Sequence, residues 1–186
     1  MSKHSWRSAV VAATAAGIAS AVLLVPAAST ASGPTCAGEA AHGGTSGSDY
    51  ISGTANRDVI QALEGDDLVD VFGGADLVCL GPGNDRVAGR TGNDTLYGGF
   101  GQEYMNGGPD DDTIFGGPDG DSLVGGTGND TLWGGDGDDA IVGNDGDDDV
   151  HGGGGVDQCD GGAGQDTFTG CEDISDPDQP GAHNQG

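Results

Sequence analysis

The sequence predicts an all-β solenoid of short strands stacked into two parallel sheets. Three observations carry this reading. From Gly44 to Thr169 the chain repeats every nine residues without a slip, through fourteen consecutive nonads. The sixth position of each is an acid: Asp49, Asp58, Asp67, Asp76, Asp85, Asp94, Glu103, Asp112, Asp121, Asp130, Asp139, Asp148, Asp157 and Asp166. The eighth is apolar, from Ile51 and Ile60 through Leu123 and Leu132 to Cys159 and Phe168. The most regular nonads read G-G-x-G-x-D-x-U-x with U apolar, as in Gly125-Gly126-Thr127-Gly128-Asn129-Asp130-Thr131-Leu132-Trp133.

The strand is the x-U-x segment, with U on one face and its neighbours on the other. The six residues before it form the turn. Glycines at its first, second and fourth positions allow positive φ and close backbone approach. Turn, strand, turn, strand makes an eighteen-residue coil, and the U residues of the two strands meet between the sheets. One coil cannot bury its apolar face alone, so coils must stack. Fourteen nonads give seven coils, a stack of roughly 33 Å at about 4.8 Å per strand.

Stacking also brings the acids of nonads n and n+2 together at each edge of the solenoid. Carboxylates about 5 Å apart repel, by about 3 kcal/mol at an effective dielectric of 20. A hard divalent cation with six to eight oxygen ligands fits a supply of carboxylate and carbonyl oxygen. Magnesium fits poorly because it demands octahedral geometry and keeps its waters. Zinc would want His or Cys, which these turns lack.

The nonad resembles the RTX (hemolysin-type) calcium-binding repeat, and the resemblance covers residues 44–169. It implies a parallel β-roll with Ca2+ ions between successive turns, held by sixth-position Asp and turn carbonyls. Carried over residue by residue, the implied ligands are Asp85, Asp94, Glu103, Asp112, Asp121, Asp130, Asp139, Asp148, Asp157 and Asp166. At Glu103 the extra methylene shifts or weakens the site. The early nonads depart from the pattern: Ala62-Leu63, Val71-Phe72 and Leu80 stand where glycine is expected. For Asp49, Asp58, Asp67 and Asp76 the alternative is a capping segment that keeps the coil without metal.

Composition agrees with folding coupled to metal. The 186 residues include 40 Gly, 31 Asp and Glu, and 5 Lys and Arg. Too little apolar surface and too much like charge oppose unaided folding, and metal supplies what the core lacks. The acidic excess argues against nucleic acid or an anionic membrane as partner.

Residues 1–31 read as a secretory signal peptide. Lys3 and Arg7 precede an apolar stretch from Ala9 to Val25, and small residues at 27–31 offer cleavage points. The stretch is also about long enough for an uncleaved anchor. Removing the leader leaves 3 basic and 31 acidic residues, a formal charge of −28, with no membrane partner expected thereafter. Residues 32–43 form an N-terminal cap segment, and residues 170–186 a C-terminal cap and disordered tail. The four cysteines all follow the leader and suggest disulfides, with three possible connectivities. Cys36–Cys79 with Cys159–Cys171 is favoured, because these links would protect the two ends of the sheets.

No H-E-x-x-H and no G-x-S-x-G occurs, and His4, His42, His151 and His183 are scattered, so no enzymatic activity is expected. One surface pattern remains. Thr95, Thr113 and Thr131 align eighteen residues apart, beside Tyr97, Phe115 and Trp133. Such a face could meet extracellular polysaccharide, ice or a second roll, or it is strand-forming consensus. The sequence therefore points to a secreted calcium-binding protein with a structural or adhesive role, the alternative being a polysaccharide- or ice-binding module.

Overall fold

A computed structural model of the chain describes Cys36 and residues 42–177. The expected leader, most of the N-terminal cap and the last nine residues lie outside the described residues.

The described residues form sixteen strands and no helix. They are β1 (His42–Gly43), β2 (Tyr50–Ser52), β3 (Val59–Gln61), β4 (Leu68–Asp70), β5 (Leu77–Pro82), β6 (Arg86–Ala88), β7 (Thr95–Phe100) and β8 (Tyr104–Pro109), followed by β9 (Thr113–Pro118), β10 (Ser122–Thr127), β11 (Thr131–Asp136), β12 (Ala140–Asp145), β13 (Asp149–Gly154), β14 (Gln158–Ala163), β15 (Thr167–Thr169) and β16 (Asp173–Ser175). Odd strands make one eight-stranded sheet and even strands the other, each in unbroken order. Every pairing is parallel, and within the nonads residue i faces residue i+18, as Leu123 faces Ile141 and Leu132 faces Val150. This is the parallel β-roll that the nine-residue period implies.

The U column is the core. Ile60, Val69, Val78, Leu96, Met105, Ile114, Leu123, Leu132 and Val150 are fully buried between the sheets. In the early coils the first position adds to it, since Ala62, Val71 and Leu80 are also fully buried. Those coils replace glycine with apolar packing and still keep the turn. Leu63 and Phe72 adopt the glycine conformation of the second position, with φ of 84° and 69°. A non-glycine residue there carries about 1–3 kcal/mol of strain. Local contacts hold the second of these turns: Arg90 forks onto Asp70 at 2.7 and 2.8 Å and lies 6.0 Å from the Phe72 ring centre.

Both expected disulfides form. Cys36–Cys79 fastens Cys36 to the outside of the first sheet, where the two cysteines pack with Val59, Leu77 and Tyr97. Cys159–Cys171 closes the other end of the core. Reduction should lower the denaturation midpoint of the calcium-loaded protein. Closing a loop of about 13 residues is worth about 3 kcal/mol in the chain-entropy treatment, and the Cys36–Cys79 loop slightly more. Urea unfolding with and without reductant checks this, and an unchanged midpoint would show that the ends need no fastening.

The aromatic row is longer than the sequence suggested. Tyr97, Phe115 and Trp133 stack in order, with ring centres 4.8 and 6.4 Å apart, and His151 continues the stack 3.7 Å beyond Trp133. The rings lie nearly parallel, so each spends its faces on its neighbours.

Candidate metal centre

Every acid of the repeat precedes an inward U residue by two positions, so the parallel register puts the acids in two columns. Asp49, Asp67, Asp85, Glu103, Asp121, Asp139 and Asp157 follow one edge; Asp58, Asp76, Asp94, Asp112, Asp130, Asp148 and Asp166 follow the other. All ten sequence-predicted ligands therefore sit on these two lines. From Asp58 to Asp166 the column is buried, with exposures of 0–6 %.

Backbone geometry orients each carboxylate. The N–H of one acid donates to Oδ1 of the acid eighteen residues on: Asp94 to Asp112 at 2.7 Å, Asp121 to Asp139 at 2.7 Å, and Asp130 to Asp148 at 2.8 Å. This uses one oxygen and aims the other into the turn. Oδ2 of Asp67, Asp76, Asp85, Asp94, Asp112, Asp121, Asp130, Asp139, Asp148 and Asp157 is buried without a hydrogen-bond partner. A buried carboxylate oxygen left so costs at least about 1–3 kcal/mol, and more when charged. Ten in register amount to a demand for a cation or for protons.

Glu103 breaks the ladder. Its N–H still reaches Asp121 Oδ1 at 2.9 Å, but neither of its own oxygens accepts a hydrogen bond. The Asp85 N–H therefore loses the acceptor that an Asp would offer. The added methylene carries the carboxyl out of the hydrogen-bonded ladder.

The glycines explain what surrounds Oδ2. At Gly125 a Cβ would overlap Asp130 Oδ2 and lie 2.9 Å from the Gly143 carbonyl oxygen. At Gly116 and Gly134 the corresponding carbonyls, of Gly134 and Gly152, would be 2.6 Å away. A carboxylate oxygen and a carbonyl from the next coil thus converge beside each glycine. Among the described residues no three His, Cys, Asp or Glu side chains cluster as a metal group. The oxygens that converge at Gly116, Gly125 and Gly134 are carboxylate and backbone carbonyl, a donor set that suits a hard cation and not a thiolate- or imidazole-seeking one.

The early acids divide in a way the sequence did not reveal. Asp49 Oδ2 accepts from the Thr45 N–H at 2.6 Å and its hydroxyl at 2.8 Å, and Asp58 Oδ2 accepts from Thr54 at 2.6 and 3.0 Å. These two carboxylates are satisfied by protein alone. The signal was present in sequence as threonine four residues before the acid, in two nonads only. Asp67, Asp76 and Asp85 have the bare oxygen, but Ala62, Val71 and Leu80 replace the cradle glycine of their nonads.

The family model of the RTX calcium-binding nonapeptide repeat matches four times, at residues 43–78, 81–114, 115–150 and 136–168. The chain belongs to the RTX calcium-binding repeat family. The matches span both the regular RTX nonads and the early, apolar ones. Comparison of the whole chain with curated proteins gives no match. For an RTX roll the bare oxygens fit the family's metal, since hard oxygen donors are what Ca2+ takes.

Burial without a cation pushes these acids toward the neutral form. Burial raises Asp112 to about 8 and Asp94 to about 7, against which the hydrogen bond from the neighbouring acid's N–H works only partly. It raises Asp85, Asp130, Asp139 and Asp148 to about 6. Glu103 is also pushed up, by burial and then by the Asp121 charge.

Proposed function

We propose that this chain is a secreted, non-enzymatic structural protein whose roll is completed by several calcium ions. Asp94, Asp112, Asp121, Asp130, Asp139, Asp148, Asp157 and Asp166 are its main carboxylate ligands, with carbonyls of the turns completing each shell. Glu103 contributes a weaker site, and Asp85, whose nonad carries Leu80, marks the boundary with the metal-free cap. The observation that carries this reading is the line of buried Oδ2 atoms without hydrogen-bond partners. The two disulfides support an oxidising, extracellular destination. Extracellular calcium modules bind at about 10⁻⁴–10⁻³ M, so the roll would fold on reaching calcium-rich surroundings.

Paired substitutions test the assignment. Asp130→Ala should raise the calcium needed for folding about tenfold, equivalent to about 1.4 kcal/mol. Asp58→Ala should change it little, because Thr54 already satisfies that carboxylate. Circular dichroism against calcium concentration, with magnesium as control, reads both. The reverse order, or equal folding by magnesium, would refute the site ranking or the metal.

The threonine and aromatic face is less suited to a sugar than its composition suggests. Sugars stack on open ring faces, and here those faces meet one another. The row serves the roll as a cross-strand ladder, worth about 0.5–1.5 kcal/mol per ring pair beyond burial.

A further inference from the structure

The roll ends in a shortened half-coil, and we propose that Glu172 of this half-coil, a residue outside the nonad pattern, completes the calcium site of Asp157 and the Gly170 carbonyl. The proposal rests on reading the acid columns as calcium ligands.

In a full nonad the first glycine and the U residue are seven positions apart, as Gly125 and Leu132 are. Gly170 and Ile174 are only four apart. Both nonetheless occupy repeat positions. Gly170 follows Gly152 by eighteen residues, and its carbonyl stands where a Cβ of Gly152 would go. Ile174 pairs with Cys159 and packs against the core. Three turn residues are missing between fixed ends.

With the turn shortened, the next acid of the column would fall at Ser175, inside β16. Glu172 takes its place. It precedes Ile174 by two residues, as every repeat acid precedes its U residue, and its Oε2 accepts the Asp157 N–H at 2.9 Å. Asp157 Oδ1 does the same for the Asp139 N–H at 2.9 Å. The rest of the cradle is present: Asp157 is fully buried, its Oδ2 has no hydrogen-bond partner, and that oxygen and the Gly170 carbonyl crowd Gly152.

Side-chain length fits the role. In a full-length turn Glu103 overshoots and leaves the Asp85 N–H without its acceptor. In the shortened turn the same extra methylene lets Glu172 reach. The Cys159–Cys171 disulfide anchors the residue between Gly170 and Glu172, so it positions both oxygen donors. A divalent, oxygen-seeking cation of calcium's size is the ligand this donor set would take.

Calorimetric titration of calcium chloride into the full, chelator-stripped chain tests the proposal. Glu172→Gln should bind one ion fewer, or bind one at least tenfold more weakly, while Asp173→Asn, an exposed acid beside it, matches wild type. Cys171→Ser should weaken that same ion. Wild-type stoichiometry and affinities in Glu172→Gln, or an equal loss in Asp173→Asn, would overturn the site. Should Glu172→Gln fail to form β-structure, a crystal structure of the calcium-loaded wild-type chain decides. It should show an ion about 2.3–2.6 Å from a Glu172 oxygen, and a metal-free Glu172 would rule the site out. A wild-type chain that binds no calcium would instead refute the reading of the whole roll.

Discussion

Removing calcium should unfold most of this protein. In excess chelator at neutral pH the far-ultraviolet dichroism of the purified chain should look largely disordered, and millimolar calcium should restore a β spectrum. In the regular coils the core is one apolar side chain wide, for each strand sends a single U residue inward between half-buried or exposed neighbours. Against it stand 31 acids and 5 basic residues, with the acid columns buried. At about 3 kcal/mol per adjacent pair at a dielectric of 20, the repulsion along a column rivals the net stability of a whole domain. The hydrogen bond from each N–H to the next carboxylate satisfies one oxygen and leaves the other bare. Calcium answers both the charge and the bare oxygen. The disulfides limit the loss at the two ends, so Cys36–Cys79 and its neighbours should keep the last residual structure. An undiminished β spectrum in chelator would mean that the apolar early coils and the disulfides suffice, leaving calcium an accessory.

Acid should partly replace calcium, and should also oppose its binding. In the calcium-free roll Asp94 and Asp112 hold their protons to about 7 and 8, and Asp85, Asp130, Asp139 and Asp148 to about 6, because burial disfavours their charge. In the unfolded chain such groups release protons near the ordinary value of about 3.9. The folded form therefore binds more protons between these limits, and stability falls as pH rises. In chelator, lowering the pH from 8 to 5.5 should increase β-structure. With calcium present the same protons compete for the ligands of the folded roll, so the calcium concentration that half-saturates the acid-folded roll should rise as pH falls. Dichroism in chelator and calorimetric calcium titration at the two pH values check the two signs. A calcium-free chain that gained structure with rising pH would contradict the burial of the acid columns.

The period alone determined a great deal. A nine-residue repeat has one way to satisfy an acid and an apolar column together, which is to stack in steps of eighteen. Register, two parallel sheets, the inward U residues and the edge position of all fourteen acids follow from that constraint, as does the place of Cys79 and Cys159 near the ends. Translation along the roll makes one correct nonad predict its neighbours. What the period could not contain is whatever breaks it. Whether a carboxylate oxygen is bare or satisfied depends on the turn beside it, so Thr45 and Thr54 separate Asp49 and Asp58 from acids that look identical in the column. His151 completes the aromatic ladder because ring contact across strands, not residue class, defines the row. Glu172 lies in what reads as tail, since the shortened turn moves it out of phase by three residues. Only the folded chain restores it to the column, where a longer side chain and a disulfide compensate for the missing turn.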